Sequence, residues 1–125
     1  MPCSVTFDAE ASHAEATYFG RLTASELEAA AGEIMALMQA SNTMLLLADC
    51  TEVVGGHSVF DLYALADSLK ACAPRIREAI VLPTLDLAAE NVRFWETTCR
   101  NRGLAVRIFN DRQSALDWLH QRSTA

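Results

Sequence analysis

The sequence predicts an α/β fold: a five-stranded mixed, mostly parallel sheet with four helices, in the order β-β-α-β-α-β-α-β-α. Three observations carry this reading. Short runs of alternating or continuously apolar residues recur along the chain, each the length of a strand. Between them lie longer stretches whose apolar residues are spaced by three and four, as on one face of a helix. Strands that alternate with helices of this length are joined by right-handed crossovers and become parallel neighbours.

The first two strands come from alternating polar and apolar residues. Ser4-Val5-Thr6-Phe7-Asp8 is one, and Ala14-Glu15-Ala16-Thr17-Tyr18-Phe19, ending at Gly20, is the other. Ala9–His13 is a tight connection, so the two form an antiparallel hairpin at the sheet edge. Thr23 and Glu26 then stand three apart before an apolar-periodic run, the pattern of a capping box. Leu27, Ala30, Ala31, Ile34, Leu37 and Met38 make the apolar stripe of the first helix, which Ser41-Asn42 breaks.

Met44-Leu45-Leu46-Leu47-Ala48, ending at Asp49, is a strand covered on both faces. Gly55-Gly56-His57-Ser58 turns the chain into a second helix, with Ser58 as its cap and Asp61 three residues on. Helical spacing holds from Phe60 to Ala73 and stops at Pro74. Glu78-Ala79-Ile80-Val81-Leu82 is the next buried strand. Asp86 caps a third helix with Ala88, Val92, Trp95 and Cys99 on one face. Gly103 follows the basic last turn of that helix, as a C-terminal glycine should. Leu104–Phe109 is the last strand, and Asp111 starts a final helix with Ala115, Leu116, Trp118 and Leu119.

Length and composition bound the function. A chain of 125 residues fits a single domain over residues 1–125 and is long enough to hold a core without metals or disulfides. Apolar residues are 51% and charged residues 21%, the make-up of an ordinary folded domain. A net charge of −6 repels phosphate backbones, so nucleic acid is not an expected partner. Met1–Phe7 lacks the basic and apolar regions of a signal peptide. No apolar run reaches the ~18–20 residues of a membrane span. Cys3, Cys50, Cys72 and Cys99 contain no Cys-x-x-Cys pair, and His13, His57 and His120 add no zinc spacing. The thiols read as free, and the expected address is the cytoplasm.

Enzymatic motifs are missing. There is no GxGxxG, no phosphate-binding GxxxxGK[ST] and no GxSxG. Asp49 ends a buried strand, where open α/β sheets place ligands, but no partner group for acid–base work stands near it in sequence. Cys50 lies between Asp49 and Glu52, acidic neighbours that oppose a reactive thiolate. No catalytic residue, metal or cofactor is therefore expected. The aromatic residues give a binding signal instead. Phe60 and Tyr63 on the second helix and Phe94 and Trp95 on the third could line an apolar cleft between the two. Arginines from Arg75 to Arg112 gather in the same half of the chain, where they could meet an acidic headgroup.

Three stretches resemble a known family. They are Phe19-Gly20-Arg21-Leu22-Thr23, Leu46-Leu47-Ala48-Asp49, and the tail Val106-Arg107-Ile108-Phe109-Asn110-Asp111 with Ser114-Ala115-Leu116-Asp117-Trp118-Leu119. With the order of elements, they resemble the STAS domain, the anti-sigma-factor-antagonist fold. The tail looks most like its SpoIIAA-like bacterial branch, which is compared with lipid-carrying CRAL-TRIO domains. The resemblance implies two functions. One is a non-enzymatic binding module for a small apolar or lipid-like ligand, held by Phe60, Tyr63, Phe94 and Trp95 between helices that move apart. The alternative is a regulatory domain that binds a protein partner and is switched by phosphorylation of Ser58. Ser58 occupies the helix start where switch-type members carry their serine, although Gly55–Phe60 departs from their Asp-Ser-Ser-Gly-like stretch. Peripheral contact with a membrane and a symmetric homodimer are further expectations.

Overall fold

A computed structural model of the chain describes residues 3–55, 59–84 and 86–121; of residues 59 and 60 only the backbone is described. The elements are β1 (Cys3–Asp8), β2 (His13–Arg21), α1 (Ala24–Ala40), β3 (Leu45–Gly55), α2 (Val59–Cys72), β4 (Arg77–Val81), α3 (Asp86–Asn101), β5 (Ala105–Phe109) and α4 (Arg112–Leu119). The strands lie in the order β1-β2-β3-β4-β5. β1 runs antiparallel to β2, and every other neighbour pair is parallel. This is the five-stranded mixed sheet with four helices that the sequence predicts.

Local chemistry fixes the turns. At the β1–β2 hairpin the Asp8 carboxylate accepts the Ala11 N–H at 3.0 Å, and the Asp8 carbonyl accepts the Ser12 N–H at 2.8 Å. The capping box of α1 forms as read. The Thr23 hydroxyl accepts from the Glu26 N–H at 3.2 Å, and the Glu26 carboxylate accepts from the Thr23 N–H at 3.0 Å. Asp111 caps α4 by accepting the Ser114 N–H at 2.8 Å. Gly103, which follows α3, has φ +81, a left-handed conformation that glycine adopts without a Cβ clash.

Several strand ends fall one residue from those the sequence predicts, and two boundaries bear on the packing. α3 begins at Asp86 itself, so that carboxylate sits in the first turn, where the helix dipole favours it. β3 continues well past Asp49 to Gly55. Its pairing with β4 ends at Asp49↔Val81, but its second half pairs with the long strand β2 across a register shift between Thr17 and Phe19. Cys50 still faces inward; past the extra residue at this shift, alternation resumes with Val53 and Gly55 inward and Glu52 and Val54 outward. Asp49 locks the junction by accepting from the Thr51 N–H at 3.0 Å and the Thr51 hydroxyl at 2.7 Å.

The helices divide unequally between the two faces. α1 lies over β1 and β2, α3 over β3 and β5, and α2 leans on α3. Together they cover one face, with Ile34, Met38, Leu46, Ile80, Val92 and Val106 in the main core. α4 alone covers β3, β4 and β5 on the other face, over a smaller core of Leu47, Ala79, Val81, Ala115 and Leu119. Arg77 closes this side. Its guanidinium lies 3.8 Å from the Trp118 ring centre and donates to the Trp118 carbonyl at 2.6 Å.

Candidate functional site

Alternation along the central strands decides what faces the three helices. On β3, Ala48 and Cys50 point that way, and on β4, Glu78 and Ile80 do. Ala48 and Cys50 are small, so the sheet centre leaves room beneath the helices. Leu62 and Leu65 of α2, Val92 and Trp95 of α3, and Tyr18 of β2 close around that room. The result is a cavity of about 80 Å³, walled mainly by apolar groups.

Asn91 and the Tyr18 phenol are polar groups in this wall, and Glu78 is its one carboxylate among the described residues. Glu78 is 6% exposed. Its Oε1 accepts the Trp95 indole N–H at 2.9 Å, and among the described residues no other side chain donates to it. Burial pushes its carboxyl up to about 7, against the opposing effect of the Trp95 hydrogen bond. Its neighbours feel it in turn. Burial first, and then the nearby Glu78, raise the Tyr18 phenol and the Cys50 and Cys99 thiols. Those cysteines stay protonated and unreactive. The free cysteines are Cys3, Cys50 and Cys99, all buried, and the exposed Cys72.

A second hollow adjoins the first. α1 and α2 stand apart, and the groove between them measures about 300 Å³. Leu27 of α1 and Leu65 of α2 line both spaces, so these two side chains form the partition. The groove floor is apolar and small, with Ala31 and Ala64, while Glu28 and Asp61 add acidic groups to its lining. No arginine lines either hollow among the described residues.

Of the aromatic residues named from sequence, the three with described side chains separate. Trp95 lines the cavity. Tyr63 and Phe94 meet edge to face instead, ring centres 5.4 Å apart, with Tyr63 41% exposed. Arg102 stands over Tyr63 at 5.5 Å and pairs with Asp67 at 2.6 Å, so this group ties α2 to α3 on their outer side. The Phe60 side chain and Ser58 lie outside the described residues. No motif in the sequence assigns Glu78 a role. Its signal was available: a glutamate opening an otherwise apolar strand, two residues before the inward Ile80.

The opposite face carries a second polar cluster. His13 is 1% exposed; its Nδ1 lies 2.9 Å from His120 Nε2, and its Nε2 lies 3.1 Å from Glu15 Oε1. Arg112 also donates to Glu15. Burial alone would raise the Glu15 carboxyl, but the hydrogen bonds from Arg112 and His13 hold it below its ordinary range. Asp8, His13 and Glu15 place ligand atoms within 4.8 Å of one another, a spacing open to a cation. The Arg112 guanidinium already supplies that positive charge.

Comparison with known proteins supports the fold. No family model and no curated protein matches the sequence. Among solved structures, an uncharacterized protein of the DUF3478 family from Shewanella loihica PV-4, described as having a SpoIIAA-like fold, superposes with a TM-score of 0.59. The match covers 94% of this chain and 91% of that one at 22% identity. The chain thus has a SpoIIAA-like fold, the STAS-type architecture its sequence resembles. No helix among the described residues is long and apolar enough to cross a membrane.

Proposed function

We propose that the chain is a single-domain, non-enzymatic binding module for a small apolar or lipid-like ligand. The observation that supports this is the apolar cavity between α2, α3 and the sheet, with Trp95 in its wall. A space of about 80 Å³ is roughly half the ~150 Å³ that admits benzene in an engineered core. It takes the end of a ligand, not a whole acyl chain. A longer ligand extends by displacing Leu27 and Leu65 into the α1–α2 groove, which is several times larger. α2 is the element that moves, because it leans on α3 and leaves its α1 side open.

Native mass spectrometry of the purified protein, followed by titration with straight-chain alcohols of four to eight carbons, tests the reading. Binding is expected in the wild type and is lost in Ala48→Leu, which fills the cavity from the sheet while leaving Trp95 and Glu78 intact. No bound ligand, and no probe distinguishing wild type from Ala48→Leu, would sink the idea.

A further inference from the structure

Resting on the cavity reading above, we propose that Glu78 is the polar anchor of the site, and that the ligand is an aliphatic amine bound as its ammonium. The argument starts from what Glu78 lacks. It is nine-tenths buried, it faces the cavity, and its one donor among the described residues is the Trp95 indole on a single oxygen. Nothing cationic stands against it among the described residues, in contrast to Glu15 on the opposite face, which holds Arg112. A buried carboxylate with one hydrogen bond is under-satisfied, and an incoming N–H donor removes that cost.

The surroundings select for positive charge. Tyr18 and Trp95 are aromatic members of the same wall, and aromatic faces attract ammonium groups. The groove that continues the cavity is lined by Glu28 and Asp61, with no arginine among its described residues. An acidic headgroup would meet the Glu78 and Glu28 carboxylates and no arginine or lysine among the described lining residues. An alkylammonium places its charge on Glu78 and its chain against Leu62, Leu65 and Leu27. This reverses the charge expected from the arginine-rich half of the sequence. Arg77 packs on Trp118 across the sheet, and Arg102 is engaged by Asp67 and Tyr63.

Binding has a proton signature. Burial leaves part of the Glu78 population protonated near neutral pH, and an ammonium ligand requires the carboxylate. The titratable groups packed about it are Tyr18 of β2, Cys50 of β3 and Cys99 of α3, all driven toward their protonated forms. Asp49 near Cys50 and Arg102 near Cys99 are the charged groups beyond them. Amine binding at about pH 6 therefore releases a proton from Glu78.

The test is calorimetric titration with n-butylamine, n-butanol and butyrate at about pH 8, where the amine is charged as a lysine would be. Wild type, Glu78→Gln and Ala48→Leu are compared. The amine is expected to bind at least ~10-fold tighter than the alcohol, since its hydrogen bond to Glu78 is charge-assisted. Glu78→Gln keeps an acceptor for Trp95 and loses that preference, and Ala48→Leu binds neither ligand. Repeating the amine titration at about pH 6 in two buffers of different ionisation enthalpy should show proton release. Alcohol binding without amine preference overturns the anchor role but leaves the cavity reading standing. Tighter binding of butyrate also overturns the amine assignment. If no probe binds, both readings fall.

Discussion

The Trp95 indole N–H on α3 donates to Glu78 on β4 over 2.9 Å, and this bond joins a helix to the floor of the cavity it covers. Trp95 therefore has two roles in one position. Its ring walls an apolar space, and its polar edge gives the buried Glu78 a hydrogen bond. A tryptophan suits this place because it combines a large apolar body with a single donor.

Glu78 makes stability fall as pH rises through the slightly acidic range. Its folded carboxyl is raised to about 7 from 4.5. Below the unfolded value both states are protonated and Glu78 costs nothing. Between the two values the folded state holds more protons than the unfolded one, so stability drops with rising pH. Above about 7 the cost is complete, on the order of 3 kcal/mol at 1.36 kcal/mol per unit. Urea denaturation of wild type and Glu78→Gln at about pH 5 and pH 8 checks this. The variant should gain on the wild type as pH rises, by about 2–3 kcal/mol at the upper value. Equal differences at both pH values would contradict it.

Trp95→Phe keeps most of the ring and removes the donor. The Glu78 carboxylate then has no hydrogen bond among the described residues, and its pKa rises further. The loss should be about 1.5–3 kcal/mol where Glu78 is charged, and smaller in acid where it is neutral. Melts at the same two pH values measure it. A loss independent of pH would mean that the ring, and not the indole N–H, is what matters at this position.

Much of the fold was legible in local chemistry, and the centre of the site was not. The capping box at Thr23 and Glu26, Asp111 before α4 and Gly103 after α3 are contacts between residues a few positions apart. Spacing alone reveals such contacts. The full length of β3 was hidden because its second half is inward-facing only at Cys50, Val53 and Gly55, and depends on pairing with a strand about thirty residues earlier. The aromatic residues were recognised as candidates, but helical spacing does not say which side of the α2–α3 seam each one joins. Trp95 turned to the sheet, and Phe94 turned outward to Tyr63. The Glu78–Trp95 bond spans two elements, so it follows from the packing of α3 on the sheet, which no local pattern states.

Thr23→Ala tests how much of α1 depends on its start. Both halves of the capping box are present, with Thr23 and Glu26 each satisfying a backbone N–H of the other. Loss of a threonine cap costs about 1 kcal/mol. In a chain of this size that lowers the melting temperature by roughly 3–5 °C in calorimetry. Because Leu27, one residue beyond the box, partitions the cavity from the groove, the same variant should weaken probe binding as the first turn frays. Unchanged melting would show that packing of Ile34 and Met38 holds the helix without its cap.

Arg112→Ala separates the polar cluster on the α4 face from the cavity on the other. The folded Glu15 carboxyl lies below its ordinary value, with hydrogen bonds from Arg112 and His13 outweighing the effect of burial. A depressed carboxyl stabilises the fold above its unfolded pKa, and that stability is lost as pH falls through the folded value. Arg112 is half exposed, so solvent screens the pair and the expected loss at neutral pH is about 1 kcal/mol. The loss should shrink toward zero in acid, where Glu15 is protonated in both proteins. This is the opposite pH trend to the Glu78 variants, and the two effects should add, because the residues lie on different faces of the sheet. Denaturation of Arg112→Ala, Glu78→Gln and the double variant across the acid range measures both slopes. Non-additive changes would show that the α4 cluster and the cavity communicate through β3 and β4.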